Sequence, residues 1–550
     1  MPSDGDYSRR SYLKLAGSAG AAITLAGCAG QQDGEEPTDT EPPATTEPSD
    51  DDGETPTETD TPTETAGPAS DLNVVVTMGN MDSGLDPQDH AETNTNIVVR
   101  QGYEPLLNRD REGAIIEGLA NEWERLEEGR AARFTLRDGV TFHNGDPLTA
   151  EDVAYSIRRI VFEDVGFASP QATDLGAVSE VETGDGEVTV RYDPLNPIPF
   201  ALFSVNCDIM QQSWVEEHDR DFINQNLNGT GPFQLTGYDA GNEVVFERFP
   251  DFWKGAAEVG GVTLNSSTES STRVNRLLAE ESHIVTNVPP QEVARVNSSD
   301  VGSIKAVPST RVIFLFMRYD IEPFSSQQFR QAMNYAVDVE SIIENVLSGF
   351  GSPSSQPTLP LFTGHNPDLD PYGYDPDQAE QLVEESGQAG AEITLQTPIG
   401  RYLKDVEIAQ AAAEQINSLS NVTCDVEQRD FGAYVQDLIT GNIEDKPPFG
   451  LLGWGNGEFD ASQTIVPLLT TGTTLTTYEN SEIDQLMDQA ASTANPDERE
   501  DILQEANARL HEQAPWVFMH QQFSVYGVSN AIDWEPRVDE HIDPYRASPN

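Results

Sequence analysis

The sequence predicts an α/β protein that is divided into two or more lobes. Short β-rich runs and longer segments with apolar residues on one helical face follow one another along residues 71–550. A folded stretch of this length exceeds what one hydrophobic core of ordinary domain size accommodates. We therefore expect several α/β units rather than a single continuous core.

The first elements are predicted to be strands. Residues 72–77 (LNVVVT) form a β-rich run that ends in a turn-prone loop at Gly79 and Asn80. Residues 133–142 (RFTLRDGVTF) alternate in polarity on both sides of an Asp-Gly pair, and an Asn-Gly pair follows them. This pattern predicts a hairpin.

The later elements begin and end at recognisable residues. A helix is predicted to start after Thr149, which would cap its first turn. A second helix runs from Pro376 to Gly387, with proline and glycine at the ends where helices favour them, and a third begins at Pro496. Between the last two, residues 392–397 (EITLQT) predict a strand.

The N-terminus is predicted to be an export signal. Arg9 and Arg10 precede a short run of mostly Ala and Gly over 15–26, and Leu-Ala-Gly then leads into Cys28. This order is typical of a twin-arginine lipoprotein signal spanning residues 1–27, with Cys28 as the lipidated first residue of the mature chain. The apolar run is too short for a transmembrane anchor, which needs about 20 apolar residues; secretion without a lipid is the other alternative.

Residues 28–70 have the composition of a disordered stalk. They are rich in Thr, Pro, Asp and Glu and contain no Lys, Arg or aromatic residue. Such a segment buries too little apolar surface to offset the entropy of ordering. We expect an extended tether between the lipid and the folded part.

The charge balance indicates a protein adapted to concentrated salt. Asp and Glu number 94 against 31 Lys and Arg, a formal net charge of −63. Charges repel over roughly 30 Å at 0.01 M salt but over roughly 3 Å at 1 M, so molar salt would relieve the self-repulsion. The acidic residues are scattered and there is no basic stripe, so the sequence argues against calcium-loop and nucleic-acid binding.

The sequence offers no pattern for catalysis, a cofactor or a metal. It lacks a phosphate-binding loop with Gly-Lys-Ser/Thr, a Gly-x-Ser-x-Gly elbow and a His-Glu-x-x-His pair. His218 beside two Asp residues is the nearest approach to a metal cluster. Cys207 and Cys424 are expected to be buried thiols, with a single disulfide as the alternative.

Several motifs together resemble the family 5 extracellular solute-binding proteins of ABC importers, which take up dipeptides, oligopeptides and nickel. The longest is FTLRDGVTFHNGDPLTAEDV at 134–153. The others follow in family order: GYEPL at 102–106, GTGPF at 229–233, FPDFWKG at 249–255, FRQAMNYAVD at 329–338, YDP at 374–376 and APW at 514–516. Taken with the acidic composition, the resemblance suggests a haloarchaeal member.

The resemblance implies a two-lobed clamp of the periplasmic-binding-protein type, class II, with an extra inserted subdomain. It also implies a ligand, a membrane permease and a separate ATPase as partners, a lipid on Cys28 as the membrane contact, no cofactor, and a monomer. The expected boundaries are 71–107, 200–311 and 509–550 for the first lobe, 108–199 for the inserted subdomain, and 312–508 for the second lobe.

Ligand contacts are sought first near Trp454. Peptide-binding members of the family hold the ligand's amino group with an Asp a few residues after a Trp, but Gly457 stands at that place here. Glu458 and Asp460 are the nearby acids, and Asn456 lies between them and the Trp. Peptides are the leading ligand class, and oligosaccharides and metal chelates stay open.

Three further residues complete the predicted site. Arg401, which precedes a predicted helix, would pair with a carboxylate or phosphate. Gly79 and Asn80 follow the first strand, and ligands of α/β proteins lie at the carboxyl ends of strands. For each residue the alternative is a structural role: a core Trp, a surface ion pair or a plain turn. Outside solute binding, the alternative is that the chain is a surface structural or signalling protein.

Overall fold

The computed structural model describes residues 70–81, 84–90, 92–440 and 442–550. Arg9, Arg10 and Cys28, and nearly all of the predicted stalk, lie outside the described residues. The strands are β1 (Asn73–Met78), β2 (Leu107–Arg109), β3 (Ile115–Glu117), β4 (Ala120–Leu126), β5 (Ala131–Leu136), β6 (Val178–Thr183), β7 (Glu187–Tyr192), β8 (Phe233–Asp239), β9 (Glu243–Arg248), β10 (Gly261–Ser266), β11 (Ile284–Val285), β12 (Gly302–Met317), β13 (Gly351–Pro353), β14 (Ala391–Pro398), β15 (Val422–Arg429), β16 (Phe449–Gly455), β17 (Trp516–Ser529), β18 (Ile532–Asp533) and β19 (Ser548–Pro549).

Helices alternate with these strands. They are α1 (Thr93–Val99), α2 (Ala150–Val161), α3 (Pro199–Val205), α4 (Gln212–Glu217), α5 (Arg220–Ile223), α6 (Ser270–Leu278), α7 (Pro290–Asn297), α8 (Gln327–Ala336), α9 (Val339–Asn345), α10 (Pro376–Glu385), α11 (Asp405–Asn417), α12 (Phe431–Leu438), α13 (Ser462–Leu469), α14 (Ser481–Ser492) and α15 (Pro496–Gln513). In the described part of the chain, none of the helices has the length and apolarity needed to cross a membrane.

Two long antiparallel strands join the two lobes of the clamp. The main sheet has the order β15-β14-β16-β12-β17-β11-β1-β10-β9-β8, with β13 added beside β17. The first half of β12 pairs with the second half of β17, and after an irregularity between Pro308 and Val312 the remaining halves pair with each other. Thus β12 and β17 cross from one lobe to the other, and their irregular segment lies at the crossing.

Each part of the molecule has its own core. Alternate residues of β12 face opposite sides of the sheet, as a strand requires: Ile313 and Leu315 join one buried cluster, and Val312 and Phe314 join another. A third cluster surrounds β1 and β10 in the other lobe. A fourth is formed by the separate sheet β4-β5-β7-β6 together with α2.

Most of the predicted elements form where the sequence indicates. Thr149 caps α2 through a reciprocal pair of bonds with Asp152, and Asn495 caps α15. Cys207 and Cys424 are both buried free thiols.

The predicted hairpin over 133–142 was wrong in its second half. β5 ends at Leu136, and the following residues contribute a single bridge between Thr141 and Pro147. The Asp-Gly and Asn-Gly turns form loops, because the partners of β5 are β4 and β7.

Candidate functional site

A cleft between the two lobes contains two described cavities. Two cavities of about 510 Å³ each adjoin one another. They share the lining residues Thr93, Arg311, Arg401, Tyr402 and Glu540. We call the one that includes Trp454 the first cavity and the one that includes Lys404 the second cavity. Together they form one continuous groove.

The walls of the first cavity come from opposite parts of the chain. One wall consists of residues from 87–96, 171–174 and 205–208. The facing wall consists of residues from 401–402 and 452–457, together with α12. A solute in this cavity would therefore touch both walls at once, which is the arrangement that couples binding to closure.

Trp454 lies in the first cavity, near the end of β16. Its indole is half-buried, and Nε1 donates a hydrogen bond to the Gln463 carbonyl at 3.0 Å. The polar edge of the ring is therefore fixed by the protein. The remaining aromatic surface is available for stacking or for contact with a cation.

The glycine before Trp454 has a packing role. A Cβ atom on Gly453 would stand 2.7 Å from the Tyr402 ring, closer than atoms can approach. The Tyr402 hydroxyl also donates to the Gly453 carbonyl at 3.0 Å. Gly453 thus lets the aromatic ring pack directly on β16 and brings the loop before α11 to the cavity.

Arg401 lines both cavities from that loop. The Asp405 carboxylate accepts backbone N–H bonds from Gly400, Arg401 and Tyr402, at 3.1, 2.7 and 3.1 Å, and so fixes the loop. The Arg401 guanidinium lies 4.9 Å from the centre of the Phe431 ring. Among the described residues, no carboxylate lies within ion-pair distance of it.

The other residues predicted around Trp454 differ in their surroundings. Asn456 borders the first cavity, but its amide donates to the Asp460 carbonyl and to Thr464 and accepts from the Phe459 N–H, so its side chain shapes the loop. The Asp460 carboxylate is bound by the Arg499 guanidinium at 2.6 and 2.7 Å. Asp460 does not line either cavity, and we leave it out of the contacts proposed below.

Glu458 lies beside the first cavity without lining it. Its carboxylate accepts from the Asn206 amide at 3.4 Å, and its backbone carbonyl accepts from Arg109 at 2.8 Å. Burial raises the pKa of Glu458. Gly79 and Asn80 also lie outside both cavities; the Asn80 carbonyl accepts from Asn94, a residue of the second cavity.

Asp174 and His90 line the first cavity opposite Trp454, and neither was predicted from the sequence. Burial, with a smaller contribution from the Glu458 charge, raises the pKa of Asp174 to about 7. Burial lowers the pKa of His90 to about 4, so the ring is neutral. Neither residue belongs to a recognisable motif, and only the fold brings them to the cleft.

Several cleft residues adopt a backbone conformation that side chains rarely tolerate. Cys207, Lys404 and Glu540 have φ values of +66°, +60° and +63°. Strained residues of this kind concentrate at functional sites. Within the described residues no group of His, Cys, Asp and Glu is arranged to hold a metal ion, and the His218 ring stacks on Phe222.

Comparison with known proteins identifies the family. Residues 114–475, well over half of the chain, match the model of bacterial extracellular solute-binding proteins, family 5 middle. Heme-binding protein A of Haemophilus influenzae is 24% identical over 77% of this chain and 82% of its own length. The glutathione-binding protein GsiB of Pectobacterium atrosepticum is 22% identical over 81% of this chain and 88% of its own length.

The fold agrees with this match. The solved structure of the ABC transporter substrate-binding protein CtaP from Listeria monocytogenes superposes with a TM-score of 0.78 at 21% identity, covering 87% of this chain and 100% of that one. The overall fold is thus common to both. The chain belongs to the family 5 extracellular solute-binding proteins, the substrate-binding components of ABC transporters, and its role is binding rather than catalysis.

Proposed function

We propose that this protein captures a peptide or a similarly sized polar solute between its lobes and delivers it to an ABC permease that a separate ATPase drives. The observation that carries the proposal is the cleft itself, whose two cavities are lined from both lobes. A solute that touches both walls has greater affinity for the closed state and therefore selects it.

Peptides are favoured by the contents of the cleft. Arg401 offers a planar donor for a carboxylate, and the faces of Trp454, Tyr402 and Phe431 supply apolar contact for side chains. The glutathione-binding relative is similar over most of its length. Oligosaccharides, which stack on aromatic rings, and metal chelates are the alternatives within the same role.

We further propose the location and boundaries that the sequence indicates. Twin-arginine export through Arg9 and Arg10 would be followed by lipidation of Cys28, and a stalk over 28–70 would hold the clamp at the outer face of the cytoplasmic membrane. The first lobe would comprise 71–107, 200–311 and 509–550, the inserted subdomain 108–199, and the second lobe 312–508. The acidic composition supports a halophilic and monomeric protein, and the export signal supports an extracellular one.

A thermal-shift screen in molar salt tests the solute-binding role. The probes are pooled di- to pentapeptides, neutral oligosaccharides and the nickel–histidine chelate. A ligand present at 100 times its Kd stabilises the folded state by about 2.7 kcal/mol, so one class is expected to raise the unfolding midpoint clearly. If no class raises it, the proposal fails, and a surface structural or signalling role takes its place.

A further inference from the structure

All but one of the carboxylates that line the first cavity have a described ion-pair or hydrogen-bond partner. The acidic lining residues are Glu92, Asp174, Asp208, Asp539 and Glu540. Asp208 pairs with Arg100 at 3.1 Å, Asp539 with Arg537 at 2.5 Å and Glu540 with Arg311 at 3.9 Å. Glu92 accepts from Thr95. In the described part of the chain, no side chain or backbone donor bonds to the Asp174 carboxylate.

One basic residue of the cleft also lacks an ion-pair partner. The basic lining residues of the two cavities are Arg273, Arg311, Arg401 and Lys404. Arg273 donates to four backbone carbonyls, and Lys404 pairs with Glu407 at 2.6 Å. Arg311 has Glu540. Arg401 alone has no described carboxylate in range.

The two unpartnered charges belong to opposite walls of the same cavity. Asp174 stands in the loop between α2 and β6, where its N–H donates to the Gln171 carbonyl and its carbonyl accepts from Asn206. Arg401 stands in the facing loop before α11. Both line the first cavity, and no ion pair joins them. A half-buried carboxylate without a counter-charge has lost part of its hydration, and a cation placed beside it would compensate for that loss.

A second unsatisfied group stands on the Asp174 wall. His90 is 6% exposed and lines the first cavity. Its Nδ1 accepts the Glu92 N–H at 3.4 Å, which places the ring proton on Nε2. Nε2 has no partner among the described residues. Because Nε2 is itself buried, His90 is a neutral group within this wall, and the Asp174 carboxylate is the acceptor that the wall offers to a cation.

We infer that Asp174 is the cation-recognising residue of the cleft, and that the transported solute is a zwitterion whose protonated amine faces Asp174 and whose carboxylate faces Arg401. This inference rests on the proposed function and narrows it. Asp174 places an acid on the wall opposite Trp454. A solute of this kind draws the walls together through two ion pairs.

Chemically matched tripeptides test the inference on the unaltered protein. The probes are a pool of tripeptides with free ends, the same pool acetylated at the N-terminus, and the same pool amidated at the C-terminus. Titration calorimetry in molar salt should show that acetylation weakens binding at least tenfold and that amidation weakens it to a similar degree. Equal affinity for the free and acetylated pools would overturn the role of an amine.

Variants assign the two charges to their residues. Asp174→Asn is expected to weaken binding of the free pool at least tenfold while changing the affinity for the acetylated pool less than twofold. Arg401→Gln is likewise expected to weaken binding of the free pool at least tenfold while changing the affinity for the amidated pool less than twofold. The matched controls are Asp164→Asn, an exposed acid of the same loop region, and Arg130→Gln, an exposed base outside the cavities; both should bind as the unaltered protein does.

The outcomes separate this inference from the function on which it rests. If Asp174→Asn keeps full affinity for the free pool, or if only a neutral oligosaccharide binds, the zwitterion inference is overturned and solute binding stands. If none of the tripeptides, oligosaccharides or chelates binds, the proposed function fails together with it.

Discussion

At the scale of single residues, the cleft contains charged groups that the protein does not satisfy by itself. Asp174 is one of them: burial, together with the charge of the neighbouring Glu458, raises its pKa to about 7. His90, Glu92 and Asp208 line the same cavity, and the His90 ring is neutral near pH 7 because burial lowers its pKa. The protein therefore holds a carboxylate where ionisation is costly, and stability and pH are linked through it.

We predict that Asp174→Asn stabilises the ligand-free protein at pH 8 and is nearly neutral at pH 4. Between about pH 4 and pH 7 the folded state keeps the Asp174 proton that the unfolded chain has released, so stability falls as pH rises through this window. The amide avoids this loss. Thermal unfolding in molar salt should show a midpoint about 1–3 °C higher for the variant at pH 8.

The control for this prediction is Asp164→Asn, whose carboxyl is exposed. Its unfolding midpoint should follow that of the unaltered protein at both pH values. A variant Asp174→Asn that is destabilised at pH 8 would mean that the carboxylate has a structural partner.

At the scale of elements, one buried ion pair fixes the loop after Trp454. The Asp460 carboxylate binds the guanidinium of Arg499 on α15 and accepts the N–H and hydroxyl of Ser462. The side chains of Asp460 and Arg499 are 3% and 4% exposed. Breaking a buried pair leaves one uncompensated charge inside the protein.

We predict that Asp460→Ala destabilises the protein by about 3–5 kcal/mol through the unpaired Arg499. Glu505→Ala, which removes an exposed pair with Arg509 on the same helix, should cost about 0.5 kcal/mol or less. Denaturant unfolding in molar salt measures both. Equal effects from the two variants would contradict the structural role of Asp460.

The Tyr402 ring packs closely on β16 at Gly453. Gly453→Ala would crowd the Ile313 side chain and the Tyr402 ring, because the added Cβ would meet them at 2.6 and 2.7 Å. Since the same loop carries Arg401, solute affinity is expected to fall at least tenfold, although no side chain proposed to contact the solute has been removed. Titration calorimetry measures this loss.

Gly373→Ala is the matched control, because nothing lies within 4 Å of its added Cβ. It should leave the affinity unchanged. If Gly453→Ala binds as tightly as the control, the position of the 399–404 loop does not determine binding.

Local chemistry allowed much of the fold to be predicted from the sequence. The capping pair of Thr149 and Asp152 and the Asn495-Pro496 start of α15 are contained within four residues, and both formed as expected. The strand predicted over 140–142 did not form, because β5 takes its partners from β4 and β7. Whether such a segment forms a strand depends on its pairing with distant segments, and the local alternation of polarity does not indicate those partners.

Fewer residues of the cleft could be predicted from the sequence, because the cleft too is formed by segments that are distant along the chain. Trp454 and Arg401 stand beside conspicuous glycines, and the structure places both in the first cavity. Asp174 reaches the cavity only because the separate four-stranded sheet places its loop there. Asp460 appeared equivalent to Glu458 in the sequence, and only the approach of α15 shows that its carboxylate is occupied by Arg499.

At the scale of the whole molecule, the surface charge and the N-terminal signal lead to further expectations. A net charge of −63 repels itself strongly at low ionic strength. We predict that the unfolding midpoint rises steeply between 0.1 and 2 M KCl. A midpoint that is unchanged or falls over this range would contradict adaptation to salt.

The lipid anchor is tested by membrane fractionation of the native host. Cys28→Ser should release the protein into the medium, and replacement of Arg9 and Arg10 by Lys should keep it inside the cell. Cys207→Ser, which changes a buried free thiol, is the control and should stay with the membrane. Retention of the Cys28→Ser protein on the membrane would exclude the anchor.

A solute that binds between the lobes is expected to close them about the crossing of β12 and β17. Small-angle X-ray scattering in molar salt measures this directly, with and without the probe that gives the largest thermal shift. We predict a smaller radius of gyration at saturation, because the solute joins the two walls. A radius of gyration that is unchanged at full saturation would contradict a clamp that closes on its solute.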